Sequence, residues 1–367
     1  MRTFFLVILF TGQFVFGVRS QTGPDEILPV RGLCIAAPVS EGVDQFIRFI
    51  NDELIPRKVN TLVLRVDYRY AYTSHPELIA ENALSKEQVK RIVKACKKGG
   101  IKIVPQVNML GHQSWYTNVG KLLEVYPQFN ETPDVPLDKK VKWPNKWGLY
   151  CLSYCPLHPD LHKITFDIID EIVEVFEAEA FHAGMDEVFY IGMDERCKGK
   201  SNAELFAGEV TAIRDHLAKN NKKLWIWGDR LIDGETTGMG MWEASTNNTH
   251  KAIDMIPKDV VINDWHYERP DPTAAYFALK GFQVITSPWR KPGVTKEQLK
   301  MMLSLRKNAP EKIRDRYQGM LQTVWTSAEN AIDQFYGRKK IEDPDKGNWV
   351  VTFKELFDEM NKPEITE

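Results

Sequence analysis

The chain has 367 residues, 43% hydrophobic and 11% aromatic, enough to bury one large core or two ordinary ones. A formal charge of −2 and an isoelectric point near 6.5 supply no basic field, which argues against nucleic acid and anionic membrane surfaces as partners. The ten tryptophans exceed ordinary usage, and several fall where a binding surface is expected.

The first 20 residues read as a signal peptide: Arg2 supplies the charged start, Phe4 to Phe16 the apolar stretch, and Val18-Arg19-Ser20 the residues before a cut at Gln21. The apolar run is short for a span of ~20 residues, and no later segment is long enough either. The expectation is an exported protein, secreted or periplasmic, with no membrane contact beyond that peptide. A short lead, residues 21–30, precedes one domain over 31–367.

Strand-then-helix alternation begins at Arg31. Short β-branched runs occur at Gly32–Ala37, Thr61–Val66, Ile101–Val107, Ala180–His182, Leu224–Trp227, Val260–Asp264, Phe282–Thr286 and Gly319–Val324. Amphipathic stretches lie between them at Val43–Leu54, Ser85–Lys98, His158–Phe176, Asn202–Asn220, Pro272–Leu279 and Thr295–Lys307. Ser85 followed three residues later by Gln88 forms a capping-box pattern. Eight buried-type strands alternating with helices predict parallel βαβ units closing into a (β/α)₈ barrel. A doubly wound open sheet would carry a glycine-rich turn after its first strand, where this chain has Ala36-Ala37-Pro38-Val39.

Working residues of such barrels sit at the C-terminal strand ends. That rule selects Asp67, Tyr68 and Arg69 after strand two, and Asn108 through His112 after strand three. Asp186 and Glu187 follow strand four, Trp227 and Asp229 strand five, and Asp264, Trp265 and His266 strand six. Trp289 and Arg290 follow strand seven, and Trp325 ends strand eight. Carboxylates, an imidazole and tryptophans around one funnel suit a sugar, which has hydroxyls at its edge and C–H groups on its faces. Trp143, Trp147 and Trp242 are further candidate platforms.

Five cysteines, Cys34, Cys96, Cys151, Cys155 and Cys197, leave at least one thiol unpaired within a monomer. Export permits a disulfide, with Cys197 a candidate, but spacing does not give the connectivity. Cys151-x-x-x-Cys155 lacks a second pair at zinc spacing, so no metal and no cofactor are expected. Sequons stand at Asn130 and Asn247.

The densest chemistry lies in His182-Ala183-Gly184-Met185-Asp186-Glu187, an apolar strand running through a glycine into two acids. This segment resembles the His-x-Gly-Gly-Asp-Glu signature of glycoside hydrolase family 20, the β-N-acetylhexosaminidases, with Met185 replacing the second glycine. Val104 through His112 resembles the family's Pro-Glu-Ile-Asp-x-Pro-Gly-His segment, and Trp325-Thr326-Ser327 its final Trp-x-Glu. The resemblance implies a retaining reaction in which the sugar's own 2-acetamido oxygen attacks C1. It makes Glu187 the proton donor, with a raised pKa, and Asp186 the carboxylate that orients the acetamido N–H. His112 and Asp67 become the pair that hydrogen-bonds toward the acid. Trp227, Trp265 and Trp325 become the aromatic box, and an oligosaccharide or glycoconjugate the substrate; beside that resemblance, Trp289 is a candidate further wall, His182 a candidate binding residue, and Arg69 or Arg290 a candidate substitute for an arginine that the family has and this chain lacks.

The pattern also departs. The arginine of strand one is missing, and the third-strand Glu and Asp are Gln106 and Asn108. The seventh-strand Tyr-x-Asp is absent, and Ser327 replaces the last Glu. Two other readings therefore stay open. One is a non-catalytic sugar-binding barrel. The other is a glycosidase pairing Glu187 with Asp229 or Asp264 on a sugar lacking the acetamido group.

Overall fold

The computed structural model describes residues 28–115, 118–132 and 151–362. The expected signal peptide, Trp143 and Trp147 lie outside the described residues. Eight parallel strands close into a barrel: β1 (Val30–Ala36), β2 (Thr61–Arg65), β3 (Lys102–Met109), β4 (Ala180–Gly184), β5 (Lys223–Trp227), β6 (Val261–Asp264), β7 (Gln283–Thr286) and β8 (Tyr317–Thr323). Each pairs with its sequence neighbour, and β8 closes on β1 through Val30 opposite Gly319 to Cys34 opposite Thr323. The barrel was expected, and every strand starts within two residues of its predicted run.

Strand parity sorts the side chains. In β2, Leu62 and Leu64 face outward under the helices, while Val63 points into the barrel. In β5, Leu224 and Ile226 join the outer layer, whereas Trp225 and Trp227 fill the interior. The inner core is completed by Cys34, Val104, Ala180, Val261, Ile285 and Leu321. Both faces of the sheet are therefore apolar, which explains why the strands read as continuous hydrophobic runs.

Helices Lys86–Lys98 and Asn202–Ala218 each start on a full capping box, at Ser85 with Gln88 and at Ser201 with Glu204. Two helices that the pattern had left unassigned, Ala328–Phe335 and Trp349–Met360, complete the C-terminal part of the ring. Between β5 and β6 the layer consists of short pieces, Gly234–Thr237, Gly240–Glu243 and Thr249–Asp254. No described helix is long and apolar enough to cross a membrane.

The barrel closes at a tight spot. Gly319 sits at a register shift in β8 with φ of 137°, and a Cβ there would lie 2.0 Å from the Val30 carbonyl oxygen. Replacing Gly319 with Ala is expected to lower unfolding free energy by at least about 2 kcal/mol, read from urea unfolding followed by tryptophan fluorescence.

Candidate active site

Strand β4 ends in a turn that regular strand geometry forbids. Gly184, Met185 and Glu187 all take left-handed backbone, with φ of 67°, 71° and 49°. Neighbouring residues of a strand point to opposite faces; this turn instead delivers Asp186 and Glu187 to the same imidazole. Met185 occupies the position where the related signature has glycine, so the chain carries strain on the order of 1 kcal/mol there.

Packing from three sides holds the turn. The Glu187 backbone N–H donates to Asp229 Oδ2 at 2.9 Å, and the Cys151 thiol donates to the Glu187 carbonyl at 3.3 Å. Gly111 lies so close that a Cβ would stand 2.5 Å from the Asp186 carbonyl oxygen. Asn247, one of the sequon residues, donates to the carbonyls of Val188 and Phe189 at 2.9 and 3.2 Å. The other sequon residue, Asn130, is buried and bonded to Thr132.

His112 stands between the acids. Its Nε2 lies 3.2 Å from Asp186 Oδ2 and 3.1 Å from Glu187 Oε2. Burial pulls the imidazole pKa down, but the charge and hydrogen bond of Asp186 outweigh it and hold His112 well above its ordinary value. Asp186, buried too, is held below the usual carboxylate value because His112 overrides desolvation. The Asp186–His112 contact is thus an ion pair. Asp67, at the end of β2, is lifted by burial against the pull of the Asn108 N–H, Arg65, Arg69 and His112. Its Oδ1 accepts from the Asn108 N–H at 2.9 Å, so it braces the β3 end.

A cleft of about 470 Å³ opens beside these groups, lined by Arg65, Asp67, Arg69, Gln106, Asn108, His112, Trp115, Asp186 and Trp325; Glu187 is not among the lining residues and meets the cleft through its 3.1 Å contact with His112. Of the four tryptophans expected to face a sugar, Trp325 alone is among its lining residues. Trp227 and His182 have no accessible surface; they pack together at 4.5 Å in the barrel interior and form the floor under Trp325. Trp265 is buried with its indole N–H on Asp229 Oδ1 at 3.3 Å. Trp289 packs on Tyr267 and lies under the Arg290 guanidinium. Trp227, Trp265 and His182 therefore shape the site from behind, because strand parity and ring packing leave them no open face, whereas Trp289 is half-buried beyond the end of β7 and outside the cleft lining. His182 accepts the Gly184 N–H at Nδ1 and is pushed down to about 3 by burial, so it is neutral.

The carboxylates considered as protein nucleophiles are committed elsewhere. Asp229 accepts from the Glu187 N–H, Arg230 Nε and the Trp265 indole. Asp264 faces outward, accepting from Thr273 Oγ1 at 2.7 Å and lying 3.2 Å from His266 Nε2. Neither reaches the cleft.

The model of the glycosyl hydrolase family 20 catalytic domain matches residues 62–300. The chain belongs to that family. Among curated relatives, lacto-N-biosidase of Bifidobacterium bifidum is 24% identical over 247 residues, covering 64% of this chain and 19% of that protein. The β-hexosaminidase of Emericella nidulans is 22% identical over 233 residues, covering 59% of this chain and 36% of that one. The chain thus spans well under half of each. Among solved structures, Flavobacterium johnsoniae chitobiase superposes with a TM-score of 0.61 at 18% identity, over 90% of this chain and 50% of that one. That likeness establishes the shared barrel.

Within this family 20 chain, two cleft residues escaped the sequence reading. Arg65 ends β2 on the inward parity of Val63, stacks 4.7 Å over Trp325 and donates to the Val324 carbonyl at 2.8 Å. The period-two pattern of Thr61, Val63 and Arg65 could have shown it. Trp115 is exposed and stacks on His112 at 5.6 Å with 27° between the planes. It comes from a two-residue strand pair, Ser114–Trp115 with Asn118–Val119, too short for any periodicity to reveal.

His266 couples the β6 end to the short helix Gly240–Glu243, lying 3.0 Å from Glu243 and 3.2 Å from Asp264. Burial lowers its pKa, yet the two carboxylates win and lift it to about 10. A raised histidine stabilises fully below its unfolded value, ~6.5, and that contribution fades as pH climbs through 10. Between pH 7 and 10 the urea midpoint of the native chain should fall, and His266→Gln should flatten that slope; parallel slopes would contradict the ion pair.

Proposed function

We propose that this chain is a retaining glycoside hydrolase that releases N-acetylhexosamine from β-linked glycans, with the substrate's acetamido group as nucleophile. The observation that carries this reading is the pairing of Asp186 and Glu187 on one imidazole at the cleft, with the neighbouring carboxylates Asp229 and Asp264 bonded away from it. A double-displacement enzyme needs a second protein carboxylate facing the anomeric carbon. A substrate-assisted one needs an acid and an orienting carboxylate, and those are the groups present.

Each residue follows from the chemistry. The 2-acetamido oxygen attacks C1 as the C1–O bond breaks, and Glu187 delivers its proton to the departing oxygen. Asp186 accepts the acetamido N–H, polarising the amide and balancing the positive charge of the oxazolinium ring. Its Oδ1 has no hydrogen-bond partner on another described residue. Glu187 then takes a proton from water, which opens the ring and restores the configuration. Holding the attacking oxygen inside the substrate replaces a bimolecular step by an intramolecular one.

Sugar hydroxyls require donors and acceptors, and this chain supplies its own set. Arg65 stands in for the missing strand-one arginine. Gln106, whose Oε1 is buried without a partner among the described residues, and Asn108 replace the acidic pair of the related motif with neutral groups. Trp325 offers a face to the sugar in the cleft, and Trp115 a platform for the unit beyond the scissile bond. Export to a secreted or periplasmic location is part of the same proposal, supported by residues 1–20.

Aryl β-N-acetylglucosaminide and N-acetylgalactosaminide should be cleaved and a plain glucoside left intact, with a thiazoline oxazolinium mimic blocking turnover. Binding without turnover would reduce the chain to a sugar-binding barrel, and glucoside cleavage would require a protein nucleophile. Glu187→Gln should lower kcat by about 10²- to 10⁴-fold on poor leaving groups and much less on activated aryl ones. Arg65→Ala should raise KM about tenfold with a smaller change in kcat, whereas a neutral result would remove Arg65 from hydroxyl recognition.

A further inference from the structure

Away from the cleft, three donor side chains that are distant in sequence meet in the interior. Glu131 lies on the chain returning from β3, Cys155 just before the helix Leu161–Val175, and Cys197 at the end of the turn Glu195–Cys197 after β4. All three are buried. Cys155 Sγ is 3.7 Å from Cys197 Sγ, and Cys197 Sγ is 3.7 Å from Glu131 Oε2. We propose that Glu131, Cys155 and Cys197 form a site for one tetrahedral, thiophilic divalent cation, zinc above all.

The spacing fits the ion. Zinc binds sulfur at ≈2.3 Å and carboxylate oxygen at ≈2.1 Å, so a tetrahedron has S–S edges of about 3.8 Å and S–O edges of about 3.6 Å. Both measured separations lie within about 0.1 Å of those edges. The carboxylate is also pre-aimed. Glu131 Oε1 accepts the Met193 N–H at 2.7 Å and the more distant Asp194 N–H, which leaves Oε2 facing the sulfurs. Ligands oriented by backbone donors in this way are characteristic of metal sites. Asp194 Oδ2 in turn holds Arg196 at 2.9 Å, and that guanidinium sits beside Cys155, offsetting part of the charge two thiolates would bring. The described residues offer three donors, and a tetrahedral ion takes one further ligand.

A disulfide explains the same residues less well. It requires the sulfurs to close to ≈2.05 Å and leaves the buried Glu131 oxygen facing a group with no proton to give. Metal binding instead displaces the two thiol protons and satisfies all three donors. The ion would join the return of the β3 loop to the segment that starts at Asp186.

The full-length chain, purified under a phosphine reductant, is loaded with zinc chloride, desalted and analysed for metal. About one zinc per chain is expected, with a rise in Tm that EDTA reverses. Cobalt(II) should give an ultraviolet sulfur-to-cobalt charge-transfer band, abolished in Cys155→Ser and Cys197→Ser. Glu131→Gln, which keeps shape and both thiols, should weaken zinc binding at least about tenfold and covers the case in which a cysteine variant fails to fold. Folded chain with free thiols, no retained zinc and no cobalt band would overturn the site. So would a Cys155–Cys197 disulfide recovered from non-reduced protein that binds no metal. None of these readouts needs catalysis, so they stand apart from the fate of the proposed activity.

Discussion

The ion pair between His112 and Asp186 depends on a backbone turn that would not persist alone. Leu110 and His112 on one loop, and Met185 and Glu187 on the other, all adopt left-handed backbone without being glycine. Each such residue costs on the order of 1 kcal/mol. The two strained loops are pressed together where Gly111 meets the Asp186 carbonyl, and the Asp229–Arg230 pair ties the acid turn to the next strand. Strain concentrated on facing loops, and overcome by the barrel around them, keeps the two acid side chains on one imidazole.

That arrangement sets the electrostatics. Two carboxylates brought together in the interior would each resist ionising, but a shared imidazole changes the balance. His112 carries the compensating charge, and the neutral His182 and the indoles of Trp227 and Trp265 form a low-dielectric floor. Asp229 helps as a brace: its buried oxygens are spent on the Glu187 N–H, Arg230 and Trp265.

The cleft is more neutral in its acceptors than the related motif. Gln106 and Asn108 bond to each other at 3.1 Å, and Gln113 donates to the Asn108 carbonyl, so the β3 end is a hydrogen-bonded amide cluster. Two cations, Arg65 and Arg69, line the same cleft. The loops after β3 and β4 that carry this chemistry run on to Glu131 and Cys197, two of the three proposed metal ligands.

Sequence alone determined the barrel, since alternating apolar runs and helices with capped starts leave a parallel sheet little choice, and eight repeats close it. It also singled out Asp186 and Glu187 as candidates, through the resemblance of His182–Glu187 to the family signature rather than through local pattern alone. Tertiary structure decided which aromatic rings face solvent: Trp227 and Trp265 share the strand ends with Trp325, and only packing depth separates floor from wall. It also decided where Asp264 points, that Arg65 reaches the cleft, and that residues 131, 155 and 197 meet. Those facts depend on distances between loops far apart in the chain, and local periodicity carries no information about them.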